Sequence, residues 1–462
     1  MLHDFVISVA SKKEMIIILI TQYDRYYLRL AMPAALEGVF MIFLSAADII
    51  MVGVLGTAAV AAVSIFTQPR MMMLCLARSI SAALTVVTAK LYGQNQPYEA
   101  SDMLRKTLFA SSILLCIAHS ILFIHLEDML YWVGAEESYI VLALEYADLA
   151  IIGVFFTSIS AVLQGYMLGF GETGYVMSIN IQGNIVNVMS NAVFIFGLGP
   201  FPELGVKGAA IGTIIGTLWT LIGSIHLVFK RQEMHWGSFL PTKAYCQKFM
   251  PVFAAVFSEQ GFERIGMVLY TRMVAELGVV PYAVHAICMN FCDFYYSFAG
   301  GLGKASMILA GHAHGEKNPA KLRMCWQTGI KWSVFFSLIA CLVTFLGRDF
   351  IFALYAHDAD TKVLGSMVMI LVAVVSFPEA QSLVSAGLLR GVGKTAQVAV
   401  YSLISIAILR PIITALILYE LDMGLVGAWI ALCIDQTIRA TCATILFYKY
   451  LKKSENNLTK IC

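Results

Sequence analysis

The sequence predicts an all-α polytopic membrane protein of twelve transmembrane helices, arranged as two pseudo-symmetric six-helix lobes. Three observations carry that prediction. Of 462 residues, 59% are hydrophobic and 13% charged, whereas soluble domains carry about 25% charged residues. Apolar segments long enough to cross a bilayer recur twelve times along the chain. The chain also resembles itself at an offset of 222 residues.

Residues 1–27 read as a cytoplasmic or interfacial N-terminal segment. MIIILI at 15–20 is too short for the core of a signal peptide, and no A-x-A site follows it. The N-lobe, 28–230, holds spans at 28–53, 59–91, 106–126, 138–166, 175–197 and 206–229. An inter-lobe linker at 231–248 precedes a C-lobe at 249–448, with spans at 249–277, 281–310, 326–347, 363–389, 396–419 and 425–448. A cytoplasmic tail, 449–462, follows. Of the 31 lysines and arginines, 21 fall in the first segment, the tail and the loops on one side, from Lys12, Lys13 and Arg25 through Lys394 to Lys460. Only Lys207, Arg348 and Lys362 fall on the other side. The positive-inside rule therefore puts both termini in the cytoplasm. It leaves the acidic loops HLEDMLYWVGAEES (125–138) and YAHDAD (355–360) outside. The expected location is the plasma membrane.

Several functions are disfavoured. A net charge of +2 gives no field for nucleic acid. The ten cysteines include no CxxC and mostly sit in apolar runs, as small packing residues do. SAGLLRGVGKTAQ (385–397) resembles a phosphate-binding loop, G-x-x-x-x-G-K-[ST]. The first glycine would have to stand at 388, which is Leu388, and a long apolar run precedes the motif instead of a strand.

The repeat gives this stretch another meaning. At an offset of 222, LGTAAVAAVSI (55–65) falls on LGVVPYAVHAI (277–287), GQNQP (93–97) on GEKNP (315–319), and QGYMLGFGETGY (164–175) on AGLLRGVGKTAQ (386–397). At 219, GVKGAAIG (205–212) falls on GLVGAWIA (424–431). The glycine-rich stretch is thus a structural element used twice, a cytoplasmic helix exit and tight turn. An even number of spans gives both halves the same topology.

Ionisable groups inside spans are costly and are functional candidates by default. Asp48 lies about five residues from the external end of span 1. Asn187 and Asn191, at i and i+4 in span 5, share a helix face. Their amides can coordinate Na⁺ or hydrogen-bond a protonated Asp48. Glu259 and Glu263 in span 7, Asp293 in span 8 and Glu379 in span 10 are the other embedded acids of interest. Seven basic residues also fall within spans: Arg70, Arg78, Arg264, Arg272, Lys304, Arg410 and Arg439. Arg78 and Lys304 are too deep for easy snorkelling. They can pair with the acids or favour an anionic or zwitterionic solute. Tyr295, Tyr296 and Phe298, beside Asp293, and the methionines of TQPRMMM (67–73) suit a promiscuous pocket. Pro33, Gly38 and Gly53 let span 1 bend.

The chain resembles the multidrug and toxic compound extrusion (MATE) transporters over its whole length. The resemblance is carried by P-x14-D (Pro33 to Asp48), NVMSN (187–191) followed by FGLGPFPELGVKGAA, SAGLLRGVGKT, and FE at 262–263 ahead of LG at 277–278. It implies a V-shaped, two-lobed antiporter exchanging H⁺ or Na⁺ for an organic solute. It makes Asp48 with Asn187 and Asn191 the N-lobe cation site. It makes Glu263 and Glu379 a C-lobe cation or cation–substrate site, with Glu259 and Asp293 nearby. Asn191 stands where some relatives carry Asp, which places the chain nearer the NorM-type than the DinF-type branch. No cofactor beyond the coupling ion is expected, no metal and no obligate protein partner; the partners are small organic solutes and the lipid bilayer. A lipid-linked oligosaccharide flippase of the wider superfamily is the competing reading. A membrane-embedded enzyme is a weaker one, since neither H-E-x-x-H nor a Ser/His/Asp arrangement occurs.

Overall fold

The computed structural model describes residues 5–11, 14–231, 237–355 and 359–459. Lys12, Lys13 and Lys460 of the basic set, residues 232–236 of the linker and residues 356–358 of the YAHDAD loop lie outside the described residues. The first element is an antiparallel hairpin, β1 (Phe5–Ser11) paired with β2 (Glu14–Ile20). Helices follow: α1 (Gln22–Gly53), α2 (Thr57–Ile65), α3 (Thr67–Gly93), α4 (Pro97–Ile124), α5 (Leu126–Val133), α6 (Ile140–Gly169), α7 (Thr173–Phe196), α8 (Gly205–Phe229), α9 (Lys243–Ala275), α10 (Val279–Gly315), α11 (Pro319–Tyr355), α12 (Ala359–Gly391), α13 (Thr395–Ser402), α14 (Arg410–Ala415) and α15 (Gly424–Thr459). π-helical turns at Leu403–Leu409 and Leu416–Glu420 flank α14.

Nine helical stretches among the described residues are long and apolar enough to cross a membrane. The three other expected spans fall on α7, α9 and α10, helices of 24, 33 and 37 residues. Their lower hydropathy comes from residues already singled out: the asparagines of α7, Glu259, Glu263 and Arg264 of α9, and Asp293 and Lys304 of α10.

The helix that carries Asp48 begins at Gln22, six residues before the expected span. A reciprocal cap sets this start. Thr21 N–H and Oγ1–H both donate to Asp24 Oδ2 at 2.8 Å, and Asp24 N–H donates back to Thr21 Oγ1 at 3.1 Å. Lys331 Nζ (2.8 Å) and Trp332 Nε1 (2.9 Å) of α11 complete the shell around the buried carboxylate. One turn on, the buried Tyr27 hydroxyl donates to the Leu302 carbonyl of α10 at 2.9 Å and shares a 2.8 Å bond with Ser306.

The chain divides into two compact units, residues 37–260 on one hand and 1–36 with 261–462 on the other. We refer to them as the first and the second unit. The boundaries fall inside α1 and α9, whereas the sequence reading places the inter-lobe linker at 231–248. The first turns of α1 are bonded to α10 and α11 in the second unit, as above. The start of α9 packs its Tyr245 and Phe249 into an apolar cluster with Leu84, Met103 and Tyr166 of the first unit.

The internal repeat is present in the backbone. Positive φ occurs at Gly56 and Gly278, Asn95 and Lys317, and Gly171 and Gly393, each pair 222 residues apart, and at Gly205 and Gly424, 219 apart. Gly171 (φ +87°) and Gly393 (φ +77°) form the tight turns that follow α6 and α12, so the look-alike phosphate loop is a helix exit. The glycines before these turns serve close packing. A Cβ at Gly165 would lie 2.9 Å from Ser81 Cα on α3, and one at Gly387 would lie 3.0 Å from Gly303 C on α10. Ser81 and Gly303 are themselves 222 apart. Small residues let helix backbones approach in lipid, where no hydrophobic force drives helices together.

Gly387→Ala forces this contact apart, and we expect it to destabilise the protein by about 1–3 kcal/mol. Gly174→Ala, whose Cβ meets nothing within 4 Å, is expected to be neutral. Thermal unfolding of the two purified variants in detergent checks the difference.

Candidate functional site

In the first unit, the site forms on α1, α6, α7 and α8. Asn191 Nδ2 donates to Asp48 Oδ1 at 3.0 Å. Asn187 Nδ2 makes longer contacts of 3.4 Å to Asn191 Oδ1 and Thr213 Oγ1. Thr213 Oγ1 donates to the Ala209 carbonyl at 2.9 Å, which leaves its lone pairs to accept from Asn187, and Tyr146 on α6 lies within electrostatic reach of Asp48. Arg70 on α3 lies within electrostatic reach of both Asp48 and Tyr146. Asn187 and Asn191 are buried, and Asp48 is half-buried.

Glycines place this face. A Cβ at Gly212 would lie 2.7 Å from Asn191 N, and one at Gly216 would lie 2.5 Å from Asn187 Cβ. Helix α8 therefore abuts α7 on one side of the two asparagines, and their amides reach towards Asp48 and Thr213. Asp48 Oδ2 and a lone pair on Asn191 remain as oxygen donors, a set suited to a proton or to a hard monovalent cation.

In the second unit, Glu379 on α12 lies within electrostatic reach of Glu263, Asp293, Arg410 and Arg439. Its Oε2 is buried without a hydrogen-bond partner. Glu263 is also close enough to Tyr296 to act on its charge. The structure thus gathers Glu263, Glu379, Asp293 and Tyr296. Glu259, 4% exposed, lies one turn before Glu263 on α9 and falls in the first unit. Tyr295 packs against the apolar cluster around Cys292 and Trp429. Phe298 stacks on Phe336 at 6.0 Å. Arg78 on α3 and Lys304 on α10 are exposed. Pro33 lies inside α1, and Gly53 is that helix's last residue.

Sequence reasoning missed Tyr146 and Thr213, which have no charge to draw notice. It named Arg410 without a partner. Arg410 Nε donates to Asp435 Oδ2 at 2.9 Å, its Nη2 donates to the same oxygen, and Ser405 caps the other carboxylate oxygen. Arg410 and Asp435 are 3% and 0% exposed. Arg410 follows a π-helical turn and precedes Pro411, which has no N–H for the helix ladder. Among the described residues no His, Cys, Asp and Glu group has metal-binding geometry, and the cysteines are free thiols.

The MatE family model matches residues 33–193 and 255–416. A probable multidrug resistance protein NorM of Thermotoga maritima is 25% identical, covering 91% of each chain. The uncharacterized transporter YisQ of Bacillus subtilis is 24% identical over 91% of this chain and 92% of its own. Among solved structures, a MATE protein in complex with MaD3S superposes with a TM-score of 0.86 at 19% identity, covering 94% of this chain and 97% of that one. A MOP superfamily transporter from Pyrococcus furiosus superposes with a TM-score of 0.85 at 20% identity, covering 94% and 96%.

Arg410→Met leaves a buried carboxylate uncompensated, and we expect a loss of about 3–5 kcal/mol of stability. The double variant Arg410→Met/Asp435→Leu is expected to regain most of it. Thermal unfolding of both variants reads the result.

Proposed function

Because this chain belongs to the MatE family, we propose that it is a secondary active antiporter that exports organic, cationic and amphipathic solutes in exchange for H⁺ or Na⁺. The observation that carries the proposal is the Asp48 carboxylate, set inside a spanning helix and held by the amide of Asn191. A carboxylate there is expensive unless it binds something. One amide donor orients it and leaves oxygen donors for the cation. The names of the relatives from Thermotoga maritima and Pectobacterium atrosepticum, both multidrug resistance proteins, support a drug-like cargo. The acids Glu263 and Glu379 beside Tyr296 supply the chemistry for an aromatic cation.

In this reading twelve spans put both termini in the cytoplasm of a plasma-membrane protein, with spans 1–6 and 7–12 as two lobes. Cation binding at Asp48 favours one access state and solute binding favours the other, and the lobes rock between them. Pro33 lets α1 bend as the state changes.

Efflux of a fluorescent organic cation from proteoliposomes tests this, with an imposed pH gradient in one set and an imposed Na⁺ gradient in the other. One gradient is expected to drive efflux. Asp48→Asn and Glu263→Gln are each expected to reduce that efflux to the protein-free leak. Retained uphill transport in Asp48→Asn would remove Asp48 from the coupling role. Absence of efflux under both gradients would overturn the antiport reading and direct attention to anionic or lipid-linked solutes near Arg78 and Lys304.

A further inference from the structure

The loops opposite the basic side hold three basic side chains, Lys207, Arg348 and Lys362. Lys207 Nζ pairs with Glu145 at 3.3 Å in the first unit. Arg348, near the end of α11, and Lys362, near the start of α12, line one open groove of about 380 Å³ in the second unit. Two of the three cations on a side poor in them therefore share one groove.

The rest of the groove wall is mostly apolar. Val363, Met367 and Ile370 of α12 line it, and all three are exposed. Their spacing of four and three residues makes one stripe along the helix, beginning beside Lys362. Such a stripe faces lipid on any spanning helix; a pair of cations at its head does not follow from that.

The guanidinium is held in place. Arg348 Cζ lies over the Phe345 ring, 4.6 Å from its centroid, and Arg348 Nε is 3.5 Å from Asp349 Oδ1. Ser366 Oγ of α12 donates to the same carboxylate oxygen at 2.7 Å. Two cations against the single carboxylate of Asp349 leave the groove with one net positive charge.

The depth suits a lipid headgroup. The apolar spans run over Pro319–Ala353 and Thr361–Gly391. Lys362 is the second residue of its span, and Arg348 lies five residues from the end of its own, about 8 Å along a helix. The headgroup layer on each side of a bilayer is about 5–8 Å thick.

The first unit supplies an internal control. At the 222-residue offset, Arg348 and Lys362 correspond to Leu126 and Ile140, and Met367 and Ile370 correspond to Glu145 and Asp148. Leu126 and Ile140 are buried in that unit's apolar core. The repeated scaffold therefore requires neither the cations nor the apolar stripe at this place.

We propose that this groove binds a phospholipid with a net negative headgroup, its phosphate oxygens between Arg348 and Lys362 and an acyl chain along Val363, Met367 and Ile370. Arginine offers phosphate a two-pronged donor edge and lysine a point charge. A headgroup with one negative charge neutralises the groove, whereas a zwitterionic one leaves it charged. On the orientation proposed above, the lipid belongs to the outer leaflet. The inference depends neither on the cargo nor on the coupling ion.

Native mass spectrometry of the full chain in detergent tests it, with phosphatidylglycerol and phosphatidylcholine of the same acyl chains as probes. Wild-type protein is expected to bind one phosphatidylglycerol about tenfold more tightly than phosphatidylcholine, as two basic groups opposed by one acid allow. Arg348→Gln/Lys362→Gln is expected to abolish that preference. Val363→Ser/Met367→Ser is expected to weaken binding of both lipids and to keep the preference. Lys452→Gln/Lys453→Gln, which removes two exposed lysines from the end of α15, is expected to behave as wild type. Unchanged thermal unfolding checks that each variant is folded. Equal binding of the two lipids by wild-type protein would overturn the proposal, and this comparison needs no variant. So would a preference that survives in Arg348→Gln/Lys362→Gln, or one lost equally in Lys452→Gln/Lys453→Gln, since it would then follow total charge and not the groove. Glycerol 3-phosphate is expected not to displace the lipid at equal concentration; displacement would assign the groove to a soluble organic phosphate and overturn the lipid reading.

Discussion

Close approach between helices at glycine is the constraint on which the rest of this protein depends. Lipid tails offer helices no hydrophobic reason to associate, so contact area between backbones does the work. At Gly183, Gly212 and Gly216 this approach does more than pack. An added Cβ at any of these would meet Thr220 or the backbone and side chains of Asn187 and Asn191. The α7–α8 contact is closed on that side; Asn191 reaches Asp48 on α1, and Asn187 reaches Thr213 on α8. The polar chemistry of the first unit therefore follows from residues that have no side chain.

The same packing recurs in the second unit at Gly387 and Gly391, which meet Gly303 and Ala310 as Gly165 and Gly169 meet Ser81 and Thr88. Backbone and turns repeat, but the chemistry placed on them does not. The first unit presents the carboxylates of Glu37 and Asp48, each held by an asparagine of α7. The second presents a buried Arg410–Asp435 pair and a cluster of acids around Glu379. A buried ion pair of this kind is costly to break and contributes little net stability, so Arg410 and Asp435 hold a π-widened helix in shape instead of offering a loose charge. Glu379 differs, because one carboxylate oxygen lacks a hydrogen-bond partner in a buried setting.

Much of this was legible in the sequence. The 222-residue repeat located the turns, and positive φ at Gly171 and Gly393 confirmed what the glycines were for. The i, i+4 spacing of Asn187 and Asn191 put both on one face of the helix, and the family resemblance grouped them with Asp48; Asn191 bonds Asp48 and Asn187 contacts Asn191 and Thr213. Features that depend on distant partners were not legible. Asp24 falls in the segment read as lying before the first span, yet it caps α1 and binds Lys331 and Trp332, more than 300 residues away. Thr213 accepts from Asn187 beside the Asp48 site, Tyr146 lies within electrostatic reach of it, and neither sequence spacing nor charge marks them. The π-helical turns around Arg410 have no periodic signal at all. Hydropathy was weakest where the helices are most polar, on α7, α9 and α10.

Polar helices persist in such a protein when their side chains find partners within it. Asparagine lowers both helix propensity and lipid solubility. On α7 each of the four asparagines, Asn180, Asn184, Asn187 and Asn191, instead finds a protein acceptor: Glu37, Met41, Asp48, Gln164, the Asn180 carbonyl or the Asn191–Thr213 pair. The amide hydrogens of Asn180, Asn184 and Asn191 face α1, and two of the amide oxygens accept in turn, Asn180 Oδ1 from Gln164 and Asn191 Oδ1 from Asn187. In the second unit Arg410 and Asp435 satisfy each other by pairing opposite charges. Within one repeated scaffold, satisfaction by a neutral amide leaves the charge of Asp48 in place, whereas satisfaction by an ion pair cancels it.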